Sequence, residues 1–385
     1  MNSPTTSNYK TRPLRRSVQS YGHFSPFLLD ESGFPSAVDN RFRKYPVHDS
    51  LKKRCAMKKT ALLSILVFAV LLAVGVMAEA QQQAKVAKIG WLSNSSSTGT
   101  ATSGLELTLR EVRARGYVEG KNIAIEIRYA ENKLERLPAL ADELVRLKVD
   151  VIVTAGTPAT LAAKNATKTI PIVFFGVGDP VPTGVVDSLS RPGGNITGLT
   201  EIPEVLAGKR LELLKETIPK LTRVAVLWNP QNPGNAQQWK ESQLPARALG
   251  LQLHSMEVSS ADKFESAFED ATKARSAALA VTLDALFNFN QKQIANLAAK
   301  NRLPAIGPRR TFVELGGLMS YGADQAESFR RVASMIDKIL KGTKPADLPI
   351  EQPTMFELMI NLKTAKALGL TIPPLVLTRA TKVIK

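Results

Sequence analysis

Hydroxyl and amide side chains recur at the ends of apolar β-type runs in this sequence, where they could grip a small charged molecule. Ser93-Asn94-Ser95-Ser96-Ser97-Thr98-Gly99-Thr100 follows the first such run, Ala155-Gly156-Thr157-Pro158 a second and Gly176-Val177-Gly178-Asp179-Pro180 a third. Farther along, Asn229-Pro230, Asp284 and Tyr321-Gly322 occupy the same kind of place. Hydroxyls and bare N–H groups at helix N-termini suit a carboxylate or other small anion. An Asp in a cleft suits an ammonium group, because a charge-assisted hydrogen bond offsets the desolvation of both ions. Ser95, Ser96, Thr157, Asp179, Asn229, Asp284 and Tyr321 are therefore the candidate binding residues. Each also has a purely structural reading: Ser and Thr as helix caps, Asp179-Pro180 as a turn, Asp284 as a cap. Trp91 and Trp228 fall on core strands and read as packing.

Constellations for catalysis are missing. The chain has no G-x-x-x-x-G-K-[ST], H-E-x-x-H, C-x-x-C or G-x-S-x-G. Gly176-Val177-Gly178 lacks the third glycine of a dinucleotide fingerprint. His23, His48 and His254 are the only histidines and Cys55 the only cysteine, so neither a metal cluster nor a disulfide framework is expected. No cofactor is expected either, and binding is favoured over chemistry.

The elements that must position these loops alternate in type. Val86–Ser93, Asn122–Tyr129, Asp150–Thr154, Ile172–Phe175, Arg223–Trp228, Leu251–Val258, Ala277–Leu283 and Leu318–Tyr321 read as strands. Between them, 105–115, 134–145, 204–217, 263–273 and 290–301 read as helices. Thr157-Pro158 opens another helix, with Thr157 as hydroxyl cap and Pro158 at its first position. Ala326, Phe329, Val332, Ala333, Ile336, Ile339 and Leu340 form an apolar helical stripe, and Phe356–Asn361 leads into a last helix, Leu362–Leu368. Such alternation implies parallel sheets with helices on both faces. The Gly-rich break at Arg191-Pro192-Gly193-Gly194-Asn195 divides the chain into two α/β lobes, whose ligands collect beyond the carboxyl ends of the strands.

The 385-residue chain carries 51 Lys and Arg against 34 Asp and Glu, a net +17. Much of that excess lies ahead of the lobes. Residues 57–80 have a basic start (Met57-Lys58-Lys59), an apolar stretch from Ala61 to Met77, and Ala78-Glu79-Ala80, the pattern of a cleaved secretory signal. No cysteine follows the apolar stretch, so a lipoprotein is not expected. Residues 1–56 read as a non-native or disordered extension. Residues 81–385 keep 39 basic against 29 acidic side chains, scattered without the aromatic interleaving of a nucleic-acid surface. Nucleic acid is therefore not an expected partner.

A series of segments carries a family resemblance: Gly116–Asn122 (GYVEGKN), Val151–Pro158 (VIVTAGTP), Val177–Pro180 (VGDP), Arg191–Gly198 (RPGGNITG), Ala225–Pro230 (AVLWNP), Leu297–Pro304 (LAAKNRLP), Gly316–Gly322 (GGLMSYG) and Asn361–Leu370 (NLKTAKALGL). In this order they resemble the extracytoplasmic solute-binding proteins of ABC transporters, in the group with tryptophan- and tyrosine-binding members. The resemblance implies a type I periplasmic-binding-protein fold, with two doubly wound parallel-sheet lobes joined by a three-segment hinge. Lobe 1 would hold 81–198 and 312–349, and lobe 2 199–311 and 350–385. Crossings would fall near Ile196–Thr200, Pro308–Glu314 and Leu348–Gln352.

By the family's pattern, Ser95, Ser96, Thr157 and Asp179 would face the cleft from lobe 1, with Asn229, Asp284 and Tyr321 completing the shell. Asp284 matches the aspartate that takes the ammonium in amino-acid-binding relatives. Ala285-Leu286-Phe287 follows it where those relatives carry a polar residue, which leaves amino-acid specificity open. The implied protein is a periplasmic monomer that delivers a small solute to ABC permease subunits in the inner membrane. The alternative is a two-lobed Rossmann-like enzyme such as a glycosyltransferase; a DNA-binding regulator of the same fold would need a helix-turn-helix where this chain has an export signal.

Overall fold

The computed structural model describes residues 86–96 and 104–385. The extension 1–56, the signal 57–80 and residues 97–103 of the hydroxyl loop lie outside the described residues.

Apolar runs too short for helices and rich in β-branched residues build the first sheet. Its strands are β1 (Ala87–Ser93), β2 (Ile123–Tyr129), β3 (Val151–Ala155), β4 (Ile172–Val177) and β5 (Ile196–Thr200). They lie in the order β2-β1-β3-β4-β5, all parallel. Three helices connect them: α1 (Gly104–Arg113), α2 (Leu137–Arg146) and α3 (Thr157–Ala166). Both faces of the sheet are buried, as parallel sheets require. Leu92, Ile152 and Phe174 pack on one side with Leu144 and Ala163, while Trp91, Val153 and Phe175 pack on the other with Leu105 and Val112.

After α4 (Pro203–Thr217) the second sheet begins. It comprises β6 (Arg223–Trp228), β7 (Gln252–Glu257), β8 (Ala278–Val281), β9 (Ala305–Gly307), β10 (Met319–Ala323), β11 (Phe356–Asn361) and β12 (Lys382–Ile384). The order is β12-β11-β10-β9-β8-β6-β7, parallel except where β10 meets β11. The helices are α5 (Pro233–Ala248), α6 (Phe264–Lys273), α7 (Ala285–Phe289), α8 (Gln291–Lys300), α9 (Arg310–Glu314), α10 (Gln325–Leu340), α11 (Leu362–Ala367) and α12 (Pro374–Leu377). Of these, α10 returns to the first lobe: Phe329, Val332 and Ile336 bury against Trp91, Val153 and Phe175.

Two sequence expectations need correction. Residues 312–323, expected in the first lobe, belong to the second sheet, because β10 pairs Met319 with Ile306 of β9 and Ile360 of β11. The second crossing therefore lies at Asp324 and not within Pro308–Glu314. Leu348 and Ile350 still pack into first-lobe cores, which puts the third crossing at 351–355. Ile196–Thr200 is the edge strand of the first sheet, and the first crossing follows it.

Main-chain bonds tie the crossings together. Thr200 N–H donates to the Glu351 carbonyl at 3.0 Å, Glu351 N–H to Gly198 at 2.9 Å, and Asp324 N–H to Met355 at 2.9 Å. Both lobes lie within one unit, Gln82–Lys385.

Candidate functional site

On the first lobe, β1 runs out into Ser93-Asn94-Ser95-Ser96. The Ser95 hydroxyl lies 2.8 Å from that of Ser93, and its N–H donates to the same oxygen at 3.2 Å. Ser96 donates to the Glu131 carboxylate. Asn94 is 4% exposed, and its side-chain oxygen Oδ1 has no hydrogen-bond partner among the described residues. A buried carbonyl left without a donor costs free energy, so it favours any arrangement that brings one.

The Asn94 oxygen points at the turn that starts α3. Gly156, with φ 89°, occupies the cap position there, and a Cβ at that residue would stand 3.2 Å from the Asn94 oxygen. Thr157 was expected to cap this helix with its hydroxyl. It is instead the first helical residue and is buried, and the cap position falls to Gly156. The left-handed backbone that the cap needs is open to glycine and closed to threonine. The first turn of α3 therefore has no side-chain cap.

Asp179 serves its own turn: its Oδ1 accepts from Val181 N–H at 3.1 Å, and its carbonyl from the Thr183 hydroxyl at 2.7 Å. It is half-buried at the end of β4.

The second lobe contributes a buried polar network. Asn232 caps α5, accepting from Gly234 N–H at 3.0 Å, and its Nδ2 donates to Asp284 Oδ2 at 2.7 Å. Asp284 Oδ1 accepts from Leu286 N–H at 2.8 Å and so caps α7. Asn235 accepts from Asn229 N–H and from the Thr282 hydroxyl, and donates to the Leu283 carbonyl. Gln238 holds Leu283 from the next turn of α5. Asp284 is 3% exposed. Burial pushes its carboxyl above the usual aspartate range, against hydrogen bonds from Asn232, Leu286 N–H and Asn229 that favour the charged form. All of these donors are neutral, and no cationic side chain among the described residues pairs with it.

The two lobes meet here. The N-terminus of α5 lies on that of α3 so closely that a Cβ at Gly234 would stand 2.6 Å from Thr157 Oγ1. The structure thus gathers Thr157 with Asn229 and Asp284, the last two reached from Gly234 through the Asn232 cap. Ser95 and Ser96 stand at the exit of β1, and Asp179 at that of β4. Tyr321 is not brought to this group. Its ring stacks on Phe356, with centroids 6.2 Å apart, and packs on the second-lobe core.

Sequence reasoning missed Asn94, Asn232, Gly234, Asn235 and Gln238. A signal existed in Asn229-Pro230-Gln231-Asn232-Pro233-Gly234-Asn235, where Asn recurs every third residue across a helix start. Two more residues escaped notice. Glu201, just past β5, and Arg309, just past β9, form a buried ion pair at 2.7 Å between the lobes.

Among the described residues no group of three or more His, Cys, Asp or Glu could hold a metal ion. None of their helices is long and apolar enough to cross a membrane. Two parallel-sheet lobes whose strand ends converge on a polar seam suit a protein that holds a solute between them. Residues 86–384 match the family described as ABC transporter substrate binding protein. The chain belongs to that family.

Relatives of this substrate-binding protein agree with the assignment. It is 28% identical over 262 residues to a tyrosine-binding protein of Clostridioides difficile, spanning 68% of this chain and 75% of the relative. A conserved domain protein from Vibrio cholerae superposes with a TM-score of 0.73 at 29% identity, covering 78% of this chain and all of the other. A Streptococcus pneumoniae domain in complex with L-Trp gives 0.69 at 27% identity over 77% of this chain, all of the other being covered. A ligand-free, open substrate-binding protein from Clostridium difficile gives 0.56 at 26% identity over 78% of this chain, again with all of the other covered. More distant periplasmic binding proteins share the type I fold. Substrate-binding proteins of ABC importers work outside the cytoplasm, and binding a small solute for transport is the function of this chain.

Proposed function

We propose that the solute is an α-amino acid held across the interlobe seam, with Asp284 receiving the ammonium group and the N-terminal turn of α3 receiving the carboxylate. One observation carries the reading: a buried carboxylate whose every donor is neutral, placed where the lobes meet. An ionised carboxylate in that setting is unfavourable until a cation joins it, and an ammonium group supplies both charge and hydrogen bonds. The orphaned Asn94 oxygen can accept a further ammonium hydrogen. L-Tyrosine and L-tryptophan are the first compounds to test, given the names of the relatives. Ala285-Leu286-Phe287 beside Asp284 leaves the side-chain preference of this protein its own.

The solute bridges both lobes, so it stabilises the closed form and shifts the population toward it. The closed monomer then docks on the permease subunits of an inner-membrane importer. Residues 57–80 direct export to the periplasm and are removed after Ala80, leaving no lipid anchor. N-terminal sequencing of the exported protein should begin at Gln81; retention of the apolar segment would overturn this part.

Calorimetric titration of the purified protein tests the ligand class. L-Tyrosine or L-tryptophan should bind, while the deaminated 3-(4-hydroxyphenyl)propionate and the decarboxylated tyramine should each bind about tenfold more weakly or worse. A deaminated acid that binds as tightly as its amino acid would remove Asp284 from its assigned role.

A further inference from the structure

Gly234 stands at the second helical position of α5, where glycine has no conformational task. Its backbone is not in the left-handed region, and alanine there would favour the helix. Within its own lobe the nearest atom to an added Cβ is the Asn232 side-chain oxygen at 3.4 Å, an ordinary contact. The severe contact comes from the opposite lobe: Thr157 Oγ1 at 2.6 Å, with Thr157 Cβ at an ordinary 3.4 Å behind it. Thr157 is 2% exposed and β-branched, so it has little freedom to turn its hydroxyl aside.

Glycine at 234 is thus required by the meeting of the two lobes and by nothing inside either of them. We infer that Gly234 is a positioning residue for closure: its missing side chain lets α5 seat on Thr157, bringing the Asn232–Asp284 pair against the first-lobe anion site. This rests on the reading that solute is held by closure, and it adds the residue that sets how far closure can go. A methyl group at 234 would leave both lobes folded and prop them apart. The Gly234 N–H that binds the Asn232 cap and the carbonyl that accepts from Gln238 would both survive the substitution.

Three measurements test it. First, Thr157→Cys with Gly234→Cys in the mature protein from Gln81, which has no other cysteine, should form an intrachain disulfide under mild oxidation. The Cβ separation of 3.4 Å is within a few tenths of the range that disulfides span, about 3.5–4.5 Å. This readout needs no solute, and a pair that stays reduced after exhaustive oxidation overturns the inference. Second, Gly234→Ala should keep or raise the Tm yet bind L-tyrosine or L-tryptophan about tenfold more weakly or worse, and small-angle scattering with amino acid present should show a larger radius of gyration than wild type. Wild-type affinity in that variant, or a fall in Tm that accounts for the loss, overturns it. Third, Thr157→Ser added to Gly234→Ala should recover part of the affinity, since the hydroxyl is kept but freed to rotate; no recovery counts against the steric account. If the wild-type protein binds neither amino acid, the solute assignment fails, and cross-linking alone then decides whether the closing contact exists.

Discussion

The carboxylate of Asp284 caps α7 through Leu286 N–H and takes a hydrogen bond from Asn232, yet burial raises its pKa above the ordinary 3.8. A raised pKa in the folded state means that folding favours the proton. Its contribution to stability is then fully present below the ordinary value and is lost as pH rises through the raised one. Asp284→Asn removes that titration, and it also replaces the acceptor facing Asn232 Nδ2 with a donor, a loss that does not depend on pH. The difference in Tm between wild type and Asp284→Asn should therefore change from pH 3.8 upward, with wild type losing ground as its carboxyl ionises. On the proposed reading, bound amino acid should flatten that trend, because its ammonium supplies the missing charge. A difference that stays constant across this range, measured by calorimetry with and without amino acid, would show that the carboxyl is not strained by burial. The sequence marks Asp284 and Asn229 through their places after strands, but it is silent on Asn94. An amide in a run of serines has nothing to distinguish it until folding removes both water and partner from its oxygen. Tyr321 also sits at a strand end. Its misplacement came from the alternation of β10, which turns the ring onto the core beside Phe356.

Among the elements, α10 shows how a segment remote in sequence is fastened to the first lobe. Its apolar stripe supplies the bulk of the attachment, and at its outer end the Tyr117 hydroxyl donates to Asp337 Oδ1 at 3.0 Å. Burial, together with the hydrogen bond and charge of Asp337, pushes the Tyr117 pKa from 10.0 up to about 12. The folded state again holds the proton more tightly, so this contribution is complete below pH 10.0 and disappears as pH rises through about 12. Tyr117→Phe should cost about 1 kcal/mol at neutral pH. It should also abolish the part of the alkaline destabilisation that belongs to this tyrosine; equal alkaline slopes in urea titrations of the two proteins would refute the assignment. The α10 stripe and the apolar runs of β3 and β6 were all legible, because period and composition are local properties. The three residues of β9 and the five of α7 are too short to show any period. The lobe to which β10 belongs is settled by pairing with β9 and β11, which no local pattern encodes, and so the second crossing was placed too early.

For the molecule as a whole, the question is what holds two lobes in register when only three thin crossings join them. The ion pairs around Arg331 lie near the crossings, but the side chains of Arg331 and Glu351 are 29% and 33% exposed. Pairs so open to solvent contribute little. The Glu201–Arg309 pair differs, with side chains 7% and 10% exposed and one partner on each side of the first crossing. Glu201 extends the first sheet, its N–H bonded to the Val177 carbonyl, and its carboxylate lies 4.0 Å from where a Gly176 Cβ would stand. Arg309 follows β9 of the second sheet. Removing one partner of a buried pair leaves the other charge without compensation, a loss of about 3–5 kcal/mol, whereas replacing both with neutral groups of similar volume is often close to neutral. Glu201→Gln should therefore lower unfolding free energy by that amount and loosen the lobes, seen as a larger radius of gyration. Glu201→Gln with Arg309→Met should recover most of the stability. It should not recover wild-type closure, because the buried charged hydrogen bond between the lobes is gone. If the double variant closes on solute as wild type does, the pair is a remnant of packing; if it folds well but closes poorly, the pair is what aligns the hinge.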